Sequence, residues 1–171
     1  MSLTEQELLD RAEITDALVA YCQAQDQNAW PLYARAFTAD ATIAFPGMGM
    51  EPMAASVFRD FLIRFNETRL SGQHLIGNSW FEISGDEACV VSEAIYITLH
   101  PTDTPGRIRR VRGNALYTDR CRRTAEGWRI AERVIAQKNV EVDEGDYDPA
   151  LLEAIRAAAA TDWFTSAGAG Q

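Results

Sequence analysis

The chain holds only two histidines, and His74 lies in the run Gly72-Gln73-His74-Leu75-Ile76-Gly77-Asn78. Tyr21 and Asp26 stand well upstream, near the end of an apolar-periodic segment. A histidine, a carboxylate and a phenol on separate elements make a metal-free acid–base set if the fold gathers them in one pocket. A neutral imidazole can take a proton from carbon beside a carbonyl and return it to a leaving hydroxyl. A carboxylate on the other ring nitrogen fixes the tautomer and stabilises the imidazolium. A phenol can donate to the oxygen where charge develops. The catalytic candidates are therefore His74 as base, Asp26 as its orienting group and Tyr21 as donor. An unperturbed imidazole titrates near ~6.5, so such a rate falls on the acid side somewhere between about pH 5 and 8.

Each of the three also has a plain structural role open to it. A strand histidine can serve as a hydrogen-bonding residue, an aspartate can end a helix, and a tyrosine on an apolar stripe can belong to the core. Candidate substrate-binding residues are His100, Asn78, Phe45, Trp30, Met48, Met50 and Trp80. Alternation along the strand puts His74, Ile76, Asn78 and Trp80 on one side. Met48 and Met50 sit in a glycine-rich segment and are the lid candidates, because methionine adapts to varied apolar shapes. No cofactor is expected. The sequence has no GxGxxG after a strand, no Walker A run, no metal-ligand spacing and no GxSxG elbow.

Several elements must position these groups. Residues 4–25 read as an amphipathic helix, with Thr4 and Glu7 as a capping box. Asn28 can cap a second helix carrying Trp30, Tyr33 and Phe37. Residues 40–45 form a short strand, the Gly-Met-Gly-Met-Glu-Pro segment a loop, and residues 53–68 a third helix. Thereafter strands dominate: 73–83 and 88–99 as a hairpin about Ser84-Gly85-Asp86, then 107–123 and 128–142. Residues 148–160 form a terminal helix with Asp148 as cap and Pro149 at its first position. The tail 165–171 is expected to be disordered. Helices first and an antiparallel sheet after predict an α+β fold. Three N-terminal helices would close a strongly bent antiparallel sheet over one apolar hollow.

The 171 residues suit one domain, with its core over about residues 4–142. A net charge of −9 disfavours nucleic acid and anionic membrane as partners. The arginines at 107, 109, 110, 112, 120, 122 and 123 form a local exception, read as a solvated strand face or a subunit contact. Three cysteines without a CxxC pair suggest reduced, mostly buried thiols in a cytoplasmic protein. The alternating late sheet should leave one face for a second copy, giving a homodimer or homotrimer.

Four pieces in order carry a family resemblance: the opening helix into Tyr21, Asp26 and Trp30; Phe37-Thr38-Ala39-Asp40-Ala41-Thr42; His74-Leu75-Ile76-Gly77-Asn78; and Gly113-Asn114-Ala115-Leu116-Tyr117-Thr118-Asp119 followed by Gly127-Trp128-Arg129-Ile130-Ala131-Glu132-Arg133. Over roughly residues 4–140 the chain resembles the SnoaL-like branch of the nuclear-transport-factor-2-like superfamily, an α+β cone. Its pattern is similar to scytalone-dehydratase-like and bile-acid 7α-dehydratase-like enzymes. Asp26 and His74 match their acid–base pair, Tyr21 the tyrosine of the bile-acid type, and His100 the second histidine of the scytalone type. Phe45 and Gln25 depart from tyrosines expected there. The resemblance implies a cofactor-independent dehydratase-type lyase, or a ketosteroid-isomerase-like enzyme, acting on a small, cyclic, largely apolar hydroxy-carbonyl compound. It also implies two alternatives: a non-catalytic β subunit of an aromatic-ring dioxygenase, or a small-molecule-binding protein of the same fold.

Overall fold

The structure is a computed structural model, and it describes residues 3–159. The elements run α1 (Glu5–Asp26), α2 (Pro31–Ala36), β1 (Phe37–Phe45), a single 3-10 turn (Pro46–Met48), β2 (Met50–Ala54), α3 (Ala55–Asn66), β3 (Ser71–Ser84), β4 (Glu87–Pro101), β5 (Arg107–Thr124), β6 (Gly127–Asp146) and α4 (Pro149–Ala159). This is the expected α+β order, with a curved, unclosed sheet of six strands in the order β2-β1-β6-β5-β4-β3. The tail expected to be disordered lies outside the described residues. No helix among the described residues is long and apolar enough to cross a membrane.

Four details differ from the sequence reading. β1 runs parallel to β6, while every other pairing is antiparallel. The chain leaves β1, passes through α3 and the strands β2 to β5, and returns beside it as β6, and a long connection of this kind permits parallel pairing. Met50–Ala54 is an edge strand rather than loop, and Pro52 is tolerated there because an edge leaves one side of the ladder unpaired. Phe37 starts β1 instead of ending the second helix. Asn28 does not cap α2: it takes a left-handed φ of 52° in the turn after α1, and Trp30 occupies the cap position without a side-chain bond.

α1 lies against the sheet because Ile14, Leu18, Tyr21 and Cys22 share its buried stripe, packing with Val90, Tyr117, Trp128 and Ile130 in one core cluster. Its N-terminus is capped as expected, with Thr4 and Glu7 exchanging bonds. Asp10 then ties the helix to the β5–β6 hairpin. Its carboxylate accepts from Trp128 Nε1 (3.1 Å), Gln6 Nε2 (2.9 Å) and Arg123 Nη2 (2.8 Å). These donors, Arg123 foremost, hold the Asp10 carboxyl at about 2 against the opposing effect of burial. A carboxyl depressed on folding stabilises the fold above its unfolded value, near ~3.9, and that contribution is lost as pH falls toward 2. Asp10→Asn should therefore cost roughly 2 kcal/mol at pH 7 and flatten the decline in Tm between about pH 4 and 2. Thermal melts across that range check it, and an unchanged acid decline in the variant counts against the anchor.

The arginine-rich strand is paired across the sheet. Arg109 meets Glu144 at 2.9 Å, Arg110 meets Asp143 at 3.4 Å, Arg112 meets Glu141 at 2.7 Å and Arg120 meets Glu132 at 3.6 Å. Acidic residues of β6 thus offset the local positive charge. Cys22 and Cys121 are buried free thiols, both pushed up to about 12 chiefly by burial, so they are inert at neutral pH. Cys89 is exposed, so the thiols are mostly buried, as expected, with this one exception.

Candidate active site

α1 delivers Asp26 at its last position, and β3 delivers His74 near its start, opposite Tyr96 of β4. Asp26 Oδ1 lies 2.6 Å from His74 Nδ1, and Asp26 Oδ2 accepts from the His74 backbone N–H at 2.6 Å. Both carboxylate oxygens are thereby committed to one residue. The side chains are 11% and 5% exposed for His74 and Asp26. An ionised carboxylate only accepts, so in the neutral imidazole the ring proton sits on Nδ1 and the lone pair on Nε2. The Tyr96 ring stacks on the imidazole at 5.7 Å, and its hydroxyl accepts from Gln137 Nε2 at 2.6 Å. Gly113 permits this arrangement, since a Cβ there would come within 2.7 Å of the Tyr96 hydroxyl.

His74 lines a cavity of about 230 Å³ between the helices and the inner face of the sheet. Tyr21, Phe45, Met48, Met50 and His100 line the same cavity. Tyr21 is 2% exposed, and burial raises its phenol above the ordinary value, so it remains a donor at neutral pH. His100 holds Thr98 Oγ1 at 2.9 Å and packs edge-on against Phe65. Its imidazole is lowered first by burial and then by Arg69 and Arg109, which favours the neutral ring.

Three expected binding residues lie elsewhere. Asn78 is exposed with a left-handed φ of 48°, at an irregularity of the β3–β4 ladder between Gly77 and Trp80. Gly77 faces Glu93 while Trp80 faces Val91, so three steps on β3 match two on β4. This bulge reverses the alternation beyond it. Trp80 therefore points outward, 68% exposed, while Phe81 and Ile83 turn to the core. Trp30 packs against the core, outside the cavity lining. Residues not counted among the site candidates include Gln25, Thr98, Gln137 and Arg69, all of which line the cavity. Arg69 had no sequence signal, because a lone arginine between a helix and a strand ordinarily points to solvent.

Residues 6–134 match the SnoaL-like domain family. Protein Rv2910c of Mycobacterium tuberculosis is 31% identical over 133 residues, covering 77% of this chain and 88% of the relative. Two solved structures share the fold at lower identity. A protein assigned as a scytalone dehydratase from Novosphingobium aromaticivorans superposes with a TM-score of 0.67 at 17% identity, covering 85% of this chain and 93% of its own. The hexachlorocyclohexane dehydrochlorinase LinA-type3 from Novosphingobium barchaimii does so with a TM-score of 0.70 at 15% identity, covering 82% and 94%. At these identities the two structures establish the fold alone. With three-quarters of its length matched and a relative above 30% identity, the chain belongs to the SnoaL-like domain family.

Proposed function

We propose that the protein is a cofactor-independent lyase of the dehydratase type, or a closely related isomerase, acting in the cytoplasm on a small cyclic hydroxy-carbonyl compound. The observation that carries this reading is the His74–Asp26 dyad presented to an otherwise largely apolar cavity. His74 Nε2 takes the proton from the carbon beside the carbonyl. The C–H electron pair forms the enolate, and Tyr21 donates to its oxygen. The enolate then collapses to a conjugated double bond, expelling the β-hydroxyl, which leaves as water with the proton held on His74. Return of that proton to another carbon gives the isomerase variant. Two fold neighbours bear the names of a dehydratase and a dehydrochlorinase, both eliminations, and this supports the class by analogy.

At about 230 Å³ the cavity falls below the ~300–1,000 Å³ usual for drug-sized ligands, which favours one or two rings over a steroid. The assay is a panel of one- and two-ring β-hydroxy ketones followed by the ultraviolet absorbance of the enone. Enzyme-dependent enone formation is expected, and turnover undiminished by His74→Gln overturns the assignment.

Self-association through the outer face of the sheet accompanies this reading. Leu75, Trp80, Ile95, Ile97 and Val134 are exposed there, and a patch of this kind usually marks an interface. Sedimentation should show a dimer or trimer at micromolar concentration. A species of 19.0 kDa alone refutes it.

A further inference from the structure

The cavity wall contains a formal cation and no carboxylate, in a chain whose net charge is −9. That cation is Arg69, in the turn between α3 and β3, only 9% exposed. Its Nη2 donates to the backbone carbonyls of Gln25 and, at 3.4 Å, Asp26. These are the last carbonyls of α1, a helix with no basic residue in its own last turn. A structural duty toward the helix end thus accounts for one nitrogen.

The rest of the guanidinium is unaccounted for. Among the described residues no acceptor meets Nε or Nη1, and no carboxylate stands within 4.0 Å of Arg69 to form an ion pair. The nearby Asp26 carboxylate is fully engaged by His74. A guanidinium this little exposed is costly to keep without a direct ion pair: burial lowers it, the charge of Asp26 offsets that only in part, and a ligand anion would complete the pairing. The side chain is also held in place, because it lies flat on Gly72. A Cβ at Gly72 would come within 2.7 Å of the Arg69 Cζ. Beside it, neutral His100 adds a second polar group to the same wall without adding a carboxylate.

We infer that Arg69 is a carboxylate-binding residue of this cavity, and that the substrate bears a carboxylate on its ring system. The inference rests on reading the cavity as the substrate site, and it restricts which hydroxy-carbonyl compounds the dyad can meet. The carboxylate end would lie at Arg69 and His100, and the apolar ring against Phe45, Phe61 and Val111.

The test is equilibrium binding of 2-naphthoate and its neutral isostere 2-naphthamide, measured by calorimetry at pH 7.5 without any turnover. The wild type should bind the naphthoate at least about tenfold more tightly, the scale of one charge-assisted hydrogen bond. Arg69→Gln should erase that preference while altering naphthamide affinity by less than about threefold. Arg69→Lys should keep part of the preference, because it preserves the charge and loses the fork. Because the readout is binding without turnover, it separates this inference from the proposed chemistry. If Arg69→Gln unfolds through loss of its helix-end bonds, the wild-type comparison and Arg69→Lys still decide the matter. Equal affinity for the two probes in the wild type overturns the inference, as does failure to bind the naphthoate at millimolar concentration. A preference surviving in folded Arg69→Gln overturns it too. A neutral β-hydroxy ketone turned over by a protein without the preference would leave the lyase reading standing alone.

Discussion

His74→Gln should lower kcat for enone formation by at least ~10³-fold, and Asp26→Asn by roughly 10²- to 10⁴-fold. The first removes the one imidazole of the cavity that a carboxylate orients, His100 being bonded to Thr98 instead. The second acts through geometry. Asp26 holds His74 twice, once at Nδ1 and once at its backbone N–H, both at 2.6 Å. An asparagine can present its NH₂ to Nδ1, which places the ring proton on Nε2 and removes the lone pair from the cavity side. The two losses should not add, because either change leaves no functioning base. Tyr21→Phe should cost about 10²-fold, as for one oxyanion donor. It should leave the pH profile unchanged, because burial lifts the phenol above its ordinary value and the hydroxyl stays protonated through neutral pH. Initial rates on an identified substrate, with circular dichroism to confirm folding, make the measurement. Full activity in His74→Gln would remove the dyad from the mechanism.

The legibility of these residues varied with how local their signals were. α1 announces itself through the Thr4–Glu7 box and its apolar spacing, and its end at Asp26 follows from the Asp26-Gln27-Asn28 break. The β3–β4 and β5–β6 hairpins are likewise written in short turns that contain Gly85 and Gly127, both at positive φ. Partner choice beyond a hairpin is a tertiary outcome. Nothing local in Phe37–Phe45 states that it will lie parallel to β6. The outward turn of Trp80 depends on one extra residue at a bulge, and period-2 alternation read straight through it assigns the wrong face. Arg69 was illegible for a different reason. Its burial is created by three separated segments, the end of α1, the turn after α3 and the bare backbone of Gly72, and no spacing rule joins them.

Beneath the site, Asp119→Asn should destabilise the protein by roughly 3–5 kcal/mol and lower Tm by about 6–20 °C. Asp119 and Arg133 face each other across the β5–β6 ladder, and both side chains are 0% exposed. The two carboxylate oxygens accept from Nε and Nη2 of Arg133, each at 2.7 Å. The guanidinium is enclosed by aromatic faces, 4.4 Å from the Tyr21 ring and 4.5 Å from that of Tyr117. Burial opposes the charge on Arg133, and Asp119 outweighs it, so the arginine is held above its ordinary value. Removing the carboxylate strands a cation that cannot lose its proton, which is why the single change is severe. Replacing both partners, as in Asp119→Leu with Arg133→Met, removes the stranded charge and should recover much of the loss. The double variant should nevertheless stay catalytically impaired. Tyr21 rests on the guanidinium as well as lining the cavity, so an apolar replacement restores packing without restoring the surface that orients the phenol. Chemical denaturation and initial rates on the wild type and the two variants separate the two effects. A loss below about 1 kcal/mol in Asp119→Asn would place the pair among interactions that contribute little.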